Sequence, residues 1–148
     1  MSEISITKHG LVSGRYKITK VNAETGEAVW RSGWSKNLIT NWGLNAMGYQ
    51  NAIEACYVGS GNTPPQITDT SLVSLIARTT SNSPTGATAR TSATAAPWWG
   101  GARRTWRFAV GAAAGNISEV GVGVGPVGSY NLFSRALILD GNGNPTTI

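Results

Sequence analysis

Histidine and cysteine are almost absent from this sequence, in which His9 and Cys56 are the single residues of their types. One cysteine excludes an internal disulfide, and one histidine leaves no ligand cluster for a structural zinc ion. A nucleophilic triad would need a histidine beside a serine or cysteine, and His9 lies in a polar stretch typical of an exposed surface. The composition therefore predicts a protein that is not an enzyme and has no catalytic residues, metal ion or cofactor.

Charged residues are also scarce, at 13% of the 148 residues, whereas about 25% is usual for soluble proteins. Much of the surface must then be formed by Ser, Thr, Asn and Gly, or be covered by partners. The net charge of +5 is uneven, since all six basic residues from Leu75 onward are arginines and only two acidic residues accompany them. Arginine suits contacts with a partner because its planar guanidinium binds two acceptors and is weakly hydrated; an ordinary basic surface is the alternative.

Long apolar runs are missing as well. No stretch approaches the roughly 20 apolar residues of a membrane span, and MSEISITKHG lacks the apolar run of a signal peptide. We therefore expect no membrane insertion and a protein that stays in the cytoplasm of the cell that makes it. The length of 148 residues is near that of one domain and allows a sizeable core.

Alternating apolar and polar residues, with frequent turn signals, predict a mainly β fold. Residues 14–34 indicate a hairpin whose turn, Asn22 to Gly26, ends in a glycine that can take a positive φ. Further strands are expected at residues 55–58, 103–110, 116–124 and 132–139, and another begins at Pro145 after a turn at residues 140–143. We expect one domain over residues 1–148, an antiparallel β-sandwich of jelly-roll or immunoglobulin-like type.

One or two short helices are expected beside the strands. Asn37 is placed to cap the first, which would run to Met47, and Asp69 or Thr68 to cap the second, with an apolar stripe from Leu72 to Ile76. Residues 79–97 carry almost no large apolar residue, and they predict an exposed loop or excursion with strand character at residues 87–94.

Two patterns resemble catalytic or cofactor motifs but fit other roles better. GVGPVG, residues 123–128, matches a dinucleotide-binding pattern, yet a strand follows it where a helix is required. A glycosidase-like carboxylate pair could be drawn from Glu54, Asp69, Glu119 and Asp140, but Asp69 fits a helix cap and Asp140 a turn.

The stretch AGNISEVGVGV, residues 114–124, alternates valine with glycine after one acidic residue. Gly121 and Gly123 would share one face of a strand, on which a backbone or a large aromatic ring can lie flat because that face has no side chains. Glu119 is an acid between apolar positions, which predicts an ion pair with an arginine such as Arg135 or Arg104.

Tryptophan and arginine alternate in WWGGARRTWRF, residues 98–108. Both types are common anchors of protein interfaces, which favours an interface formed by Trp98, Trp99, Arg103, Arg104, Trp106 and Arg107. A sandwich core with arginines that reach solvent is the second interpretation. Binding of sugar or single-stranded nucleic acid by stacking is the third, and the few basic residues make nucleic acid a poor fit.

Three blocks resemble proteins of the tail and tail fibres of tailed bacteriophages: YVGSGNTPPQITDTSLVSLI, NISEVGVGV and NLFSRALIL. In that family an I-x-E-V-G strand precedes an L-F-x-R-A strand, and order and spacing fit over about residues 55–148. The hairpin near the N-terminus also resembles the start of such proteins, whereas residues 79–107 match no family pattern.

This resemblance implies a virion structural protein of the tail, neck, collar or fibre-attachment region, assembled in the cytoplasm of the bacterial host and found in the particle. It implies a three-fold or six-fold homo-oligomer that contacts other virion proteins. The alternative is a glycan-binding module that recognises a host surface glycan through Trp98, Trp99 and Trp106. No nucleic-acid partner is expected.

Overall fold

A computed structural model describes residues 11–49, 51–81, 88–92, 94–96 and 98–148 of the chain. His9 lies outside the described residues. Helix α1 spans Asn41–Asn45, and a 3-10 turn follows at Ala46–Gly48. The strands, in chain order, are Gly14–Tyr16 (β1), Thr19–Val21 (β2), Ala28–Arg31 (β3), Ser35–Ile39 (β4), Ala55–Gly59 (β5), Leu75–Thr79 (β6), Thr88–Ser92 (β7), Trp99–Arg103 (β8), Glu119–Val124 (β9) and Asn131–Leu137 (β10).

Six of these strands form one sheet in the order β1-β4-β10-β9-β5-β6, while β2-β3 and β7-β8 form separate two-stranded sheets. All of the strand pairs are antiparallel. The prediction of a mainly β, antiparallel fold with a short helix is therefore confirmed.

Strand β9 lies at the centre of the sheet, between β5 and β10. Because successive side chains of a strand point to opposite faces, its valines lie on one face and its glycines on the other. On the valine face, Val120 packs with Cys56, Val58 and Ala136 in the main core cluster. Ile18 and Trp30 of the N-terminal hairpin, together with Trp106 and Phe108, cover this face as a second layer. The arrangement is sandwich-like.

The hairpin β2-β3 has the turn that its sequence predicts. The Asn22 side chain accepts hydrogen bonds from the backbone N–H groups of Glu24, at 2.8 Å, and Thr25, at 3.0 Å. Gly26 closes the turn with a φ of 73°, a left-handed conformation that costs glycine little.

Both predicted helix starts are wrong. Asn37 lies within β4, paired with Gly14 of β1; the short helix begins after Thr40, whose hydroxyl accepts the N–H of Gly43 at 3.0 Å. No helix forms at residues 69–76, because Leu75 to Thr79 pair with β5 as strand β6. An isolated helix of that length is only marginally stable, whereas a strand at the edge of the sheet forms backbone hydrogen bonds with β5.

The strand predicted at residues 103–110 is also wrong in its bounds. Strand β8 spans Trp99–Arg103 and pairs with β7, which agrees with the strand character expected at residues 87–94; residues 82–87, 93 and 97 of the excursion lie outside the described residues. Burial still alternates along residues 104–108, as expected: Arg104, Trp106 and Phe108 are half-buried, and the two residues between them are exposed. Trp106 and Phe108 pack on the core, although this segment belongs to no named strand.

Near its C-terminus the chain pairs with itself. Asp140 Oδ1 accepts the N–H groups of Asn142 and Asn144 at 2.8 and 2.9 Å, as the predicted turn requires. Ile148 exchanges two backbone hydrogen bonds with Ile117, at 3.1 and 3.0 Å. The strand pattern expected to begin at Pro145 is therefore paired within the same chain at its last residue.

Candidate functional site

An ion pair between Arg135 and Glu119 lies inside the sheet. Arg135 is on β10 and Glu119 on the neighbouring strand β9, and their side chains are only 1% and 0% exposed. Arg135 Nε donates to Glu119 Oε2 at 2.8 Å, and Nη2 lies 2.8 Å from the same oxygen. The structure thus places Arg135, and not Arg104, beside Glu119.

Two further acceptors complete the contacts of the guanidinium. Arg135 Nη1 donates to Asp69 Oδ2 at 2.7 Å, and Nη2 donates to the carbonyl oxygen of Thr63 at 2.9 Å. Burial by itself would lower the pKa of Arg135, but the hydrogen bonds that the guanidinium donates to the Asp69 and Glu119 carboxylates outweigh burial and raise the pKa above its usual value. We call Asp69, Glu119 and Arg135 the ionic cluster.

Glu119 also binds the loop that joins β5 to β6. Its Oε1 accepts the N–H of Gly61 at 3.0 Å and that of Ser74 at 2.9 Å, while Oε2 accepts the N–H of Val73 at 3.2 Å. A carboxylate that accepts several backbone N–H bonds replaces the water it loses on burial. Residues 60–74, the clamped loop, are thereby held over the sheet at both ends.

The glycine face of β9 lies under this loop. A Cβ atom on Gly121 would come within 2.8 Å of Leu132 Cδ2 and 3.2 Å of Leu72 Cδ2. On Gly123 it would meet the carbonyl oxygen of Asn131 at 2.0 Å. The backbone and side chains that approach these glycines belong to the same chain, so this face is used in folding.

The ionic cluster brings together two of the four carboxylates considered for catalysis. Asp69 and Glu119 both form ion pairs with Arg135. Their arrangement is that of two anions around one buried cation, which differs from the catalytic acid and base of a glycosidase. Glu54 pairs with Arg78 at 3.5 Å. Asp140 belongs to its own turn, where hydrogen bonds from backbone N–H groups lower its pKa.

Three other kinds of site were considered for the described part of the chain: a metal site, a thiol nucleophile and a nucleotide site. No group of three His, Cys, Asp or Glu residues there is placed to hold a metal ion. Burial raises the pKa of the Cys56 thiol to about 12, so the thiol is protonated at neutral pH and is a poor nucleophile. In GVGPVG, strand β10 begins at Asn131, shortly after Gly128, where a nucleotide site would need a helix.

Strand β8 is exposed at all five of its residues and pairs with β7; we call this pair, with the adjoining Trp98, the exposed hairpin, and it carries two of the tryptophans predicted to bind a partner. Trp98 is 73% exposed and Trp99 51% exposed. Arg103, at the end of β8, places its guanidinium carbon 5.3 Å from the centre of the Trp34 ring, and Arg15 lies 5.9 Å from that centre. A guanidinium within about 6 Å of a tryptophan ring is attracted by the negative face of the ring.

The other three predicted interface residues differ from this group. Arg104 donates through Nη1 to the carbonyl oxygen of Ile53, and Trp106 packs against the main core cluster. Arg107 is exposed, and its backbone carbonyl accepts the Thr79 hydroxyl at 3.0 Å. Arg104 and Trp106 therefore support the fold, which corresponds to the second interpretation of this stretch.

Sequence reasoning missed three residues of these two regions. Asp69 was expected to cap a helix, and nothing local signals a partner that lies 66 positions further along the chain. Trp34 and Arg15 were assigned no role, because only the pairing of β1 with β4 places Arg15 close to Trp34.

The chain is thus a mainly β protein that has a buried ionic cluster and an exposed hairpin. Comparison with protein-family models, curated proteins and solved structures finds no match to this chain. In the described residues, no helix has the length and apolar character needed to span a membrane.

Proposed function

We propose that the protein is a non-enzymatic structural subunit of a phage virion, in the tail, neck or fibre-attachment region. One observation supports this more than any other. Each of the three blocks that resemble phage tail proteins contributes one residue to the ionic cluster: Asp69, Glu119 and Arg135. Residues that are distant in sequence but belong to the resembling blocks thus share one structural purpose, which is to fix a long loop on a sheet.

The exposed hairpin supports a role in assembly. Trp98, Trp99 and Arg103 are exposed, and tryptophan and arginine are the residue types that carry most binding energy in interfaces. In the proposed virion the hairpin contacts further copies of the chain or neighbouring virion proteins, in a homo-oligomer of three-fold or six-fold symmetry.

Electron microscopy of phage particles tests the location. Antibodies against the purified protein, followed by gold labelling of particles from the producing bacterium, should mark one part of the tail, neck or fibre. Mass spectrometry of the purified particles should detect the chain in the same fractions. Absence of both signals from intact particles would overturn the proposal, whatever the oligomeric state of the isolated protein.

A glycan-binding module is the second candidate, and the exposure of Trp98 and Trp99 favours it. An exposed indole ring can stack on the apolar face of a sugar ring. A glycan array should then show binding that is lost in a Trp98→Ser/Trp99→Ser variant. If the variant and the wild type give the same empty array, while gold labelling succeeds, the structural role stands alone.

A further inference from the structure

The acidic side chains of the described residues are distributed unevenly. Asp69 and Glu119 are bound to Arg135, and Glu54 is bound to Arg78. Asp140 accepts hydrogen bonds within its own turn. Two carboxylates remain, both exposed and both without a basic nitrogen of the described residues within 4.0 Å: Glu24 and Glu27.

These two carboxylates lie at one end of the hairpin β2-β3, beside exposed apolar residues. Val21, the last residue of β2, is 42% exposed, and Val29 of β3 is 60% exposed. Exposed valines next to carboxylates suit a contact that is both apolar and negatively charged. We call Val21, Glu24, Glu27 and Val29 the acidic tip.

A surface of the opposite charge lies at the edge of the large sheet. Arg15 of β1 and Lys36 of β4 are directly opposite each other in register and are both exposed, although like charges in that position repel. Arg15 and Arg103 also lie close to Trp34, which is 52% exposed. A negatively charged partner would relieve this repulsion.

Strand β8 extends the same surface with an aromatic side chain. Trp99 and Arg103 are four residues apart on β8 and therefore point to the same side of the hairpin. We call Arg15, Trp34, Lys36, Trp99 and Arg103 the cationic face. It combines positive charge with exposed aromatic rings, and so it complements the acidic tip in both respects.

We propose that the acidic tip of one copy of the chain binds the cationic face of the next copy. This deepens the proposed function and rests on its assembly role. The two surfaces differ, so the contact is head-to-tail, and repeated head-to-tail contacts close into a ring when the rotation between copies allows it. Complementary charge would also set the orientation of the copies and speed their encounter.

Charge reversal tests the contact by sedimentation velocity at tens of micromolar protein. Glu24→Lys/Glu27→Lys alone and Arg15→Glu/Lys36→Glu alone should each raise the dissociation constant about tenfold or more. An equal mixture of the two variants should form mixed complexes, because the reversed tip of one variant meets the reversed face of the other; a mixed ring then closes only when it holds an even number of copies. Circular dichroism of each variant shows whether it is folded, and the mixture makes the result independent of small losses in stability.

Two arginines in one segment supply a matched control. Arg103→Glu lies in the cationic face and should weaken assembly, whereas Arg107→Glu, which makes the same charge change at an exposed position outside that face, should not. Added salt should weaken the wild-type oligomer, since exposed charges are screened.

The outcomes separate this contact from the proposed function. The tip-to-face contact would be overturned if both reversal variants formed oligomers as readily as the wild type, or if their mixture formed no mixed complexes. Either result would leave the virion role standing. A wild-type chain that is monomeric at these concentrations would overturn the contact as well. Gold labelling of particles decides the virion role independently. Binding of an acidic polysaccharide by the cationic face of a monomer would identify a different occupant and likewise overturn the contact.

Discussion

The ionic cluster and the exposed hairpin each contain an arginine, and they use it in opposite ways. In the cluster, the Arg135 side chain is 1% exposed, and each of its three guanidinium nitrogens donates to an oxygen of the same chain. At the hairpin, Arg103 and two tryptophans lie at the surface. An arginine next to apolar residues therefore indicates a contact without indicating whether the partner lies in the same chain or in another.

The two regions also differ in what their loss would affect. Removing a partner from a buried charge costs much of the stability of a domain, whereas truncating an exposed side chain changes stability little. Variants in the cluster should therefore destabilise the fold, and variants at the hairpin should leave its stability almost unchanged but alter what the protein binds.

Glu119→Ala should give the largest effect. It leaves Arg135 buried with Asp69 as its one carboxylate and removes the acceptor of three loop N–H groups. We expect a loss of about 3–5 kcal/mol in the free energy of unfolding, measured by urea denaturation. The double variant Glu119→Ala/Arg135→Met should lose less than the sum of its single changes, because it leaves no unpaired guanidinium. Additive losses would contradict a direct coupling.

Gly123→Ala should give the next largest effect. The new Cβ atom would lie 2.0 Å from the carbonyl oxygen of Asn131, so the backbone of β10 would have to move. Overpacking of this kind costs about 1–3 kcal/mol, again measured by urea denaturation. Gly101→Ala in β8 is the control, since its Cβ would meet nothing within 4 Å. Equal stabilities of the two variants would show that the backbone of β10 does not approach Gly123 closely.

Asp69→Asn should cost less than either change. The Asp69 side chain is 21% exposed, and asparagine keeps an oxygen that can accept from Arg135 while it loses the negative charge. We expect a loss of about 1–2 kcal/mol from one weakened charge-assisted hydrogen bond. Amide hydrogen exchange of the clamped loop should quicken in this variant but not in Glu24→Gln. Unchanged exchange at Gly61 and Ser74 would mean that Glu119 holds the loop without help from Asp69.

Trp98→Ser/Trp99→Ser should have the smallest effect on stability. Both rings are exposed, so the free energy of unfolding should stay within about 0.5 kcal/mol of wild type, while light scattering shows weaker assembly. Trp106→Ser should do the reverse, because that ring packs on the main core cluster. If the double variant unfolds more easily than Trp106→Ser, the distinction between the two regions fails.

Sequence patterns correctly predicted those elements that depend on residues close together in the chain. The turn at Asn22 to Gly26, strand β5 and the Asp140 turn depend on residues within a few positions of one another, and each is present. The helix expected after Asp69 failed because pairing with β5 competes with helix formation, and no local pattern reports that competition. An acid between apolar residues likewise predicted an ion pair for Glu119, but the third member of the cluster depended on the path of a loop.

By itself, the sequence determined the β class of the fold, the alternation of valine and glycine in β9, and the shortage of residues for acid–base chemistry. These follow from side-chain period and composition, which need no knowledge of distant contacts. The tertiary structure alone decided which arginine meets Glu119, that Asp69 joins them, and that Trp106 is inside while Trp98 and Trp99 are outside. Those outcomes depend on sheet order and loop path, which bring residues more than 60 positions apart within hydrogen-bond distance.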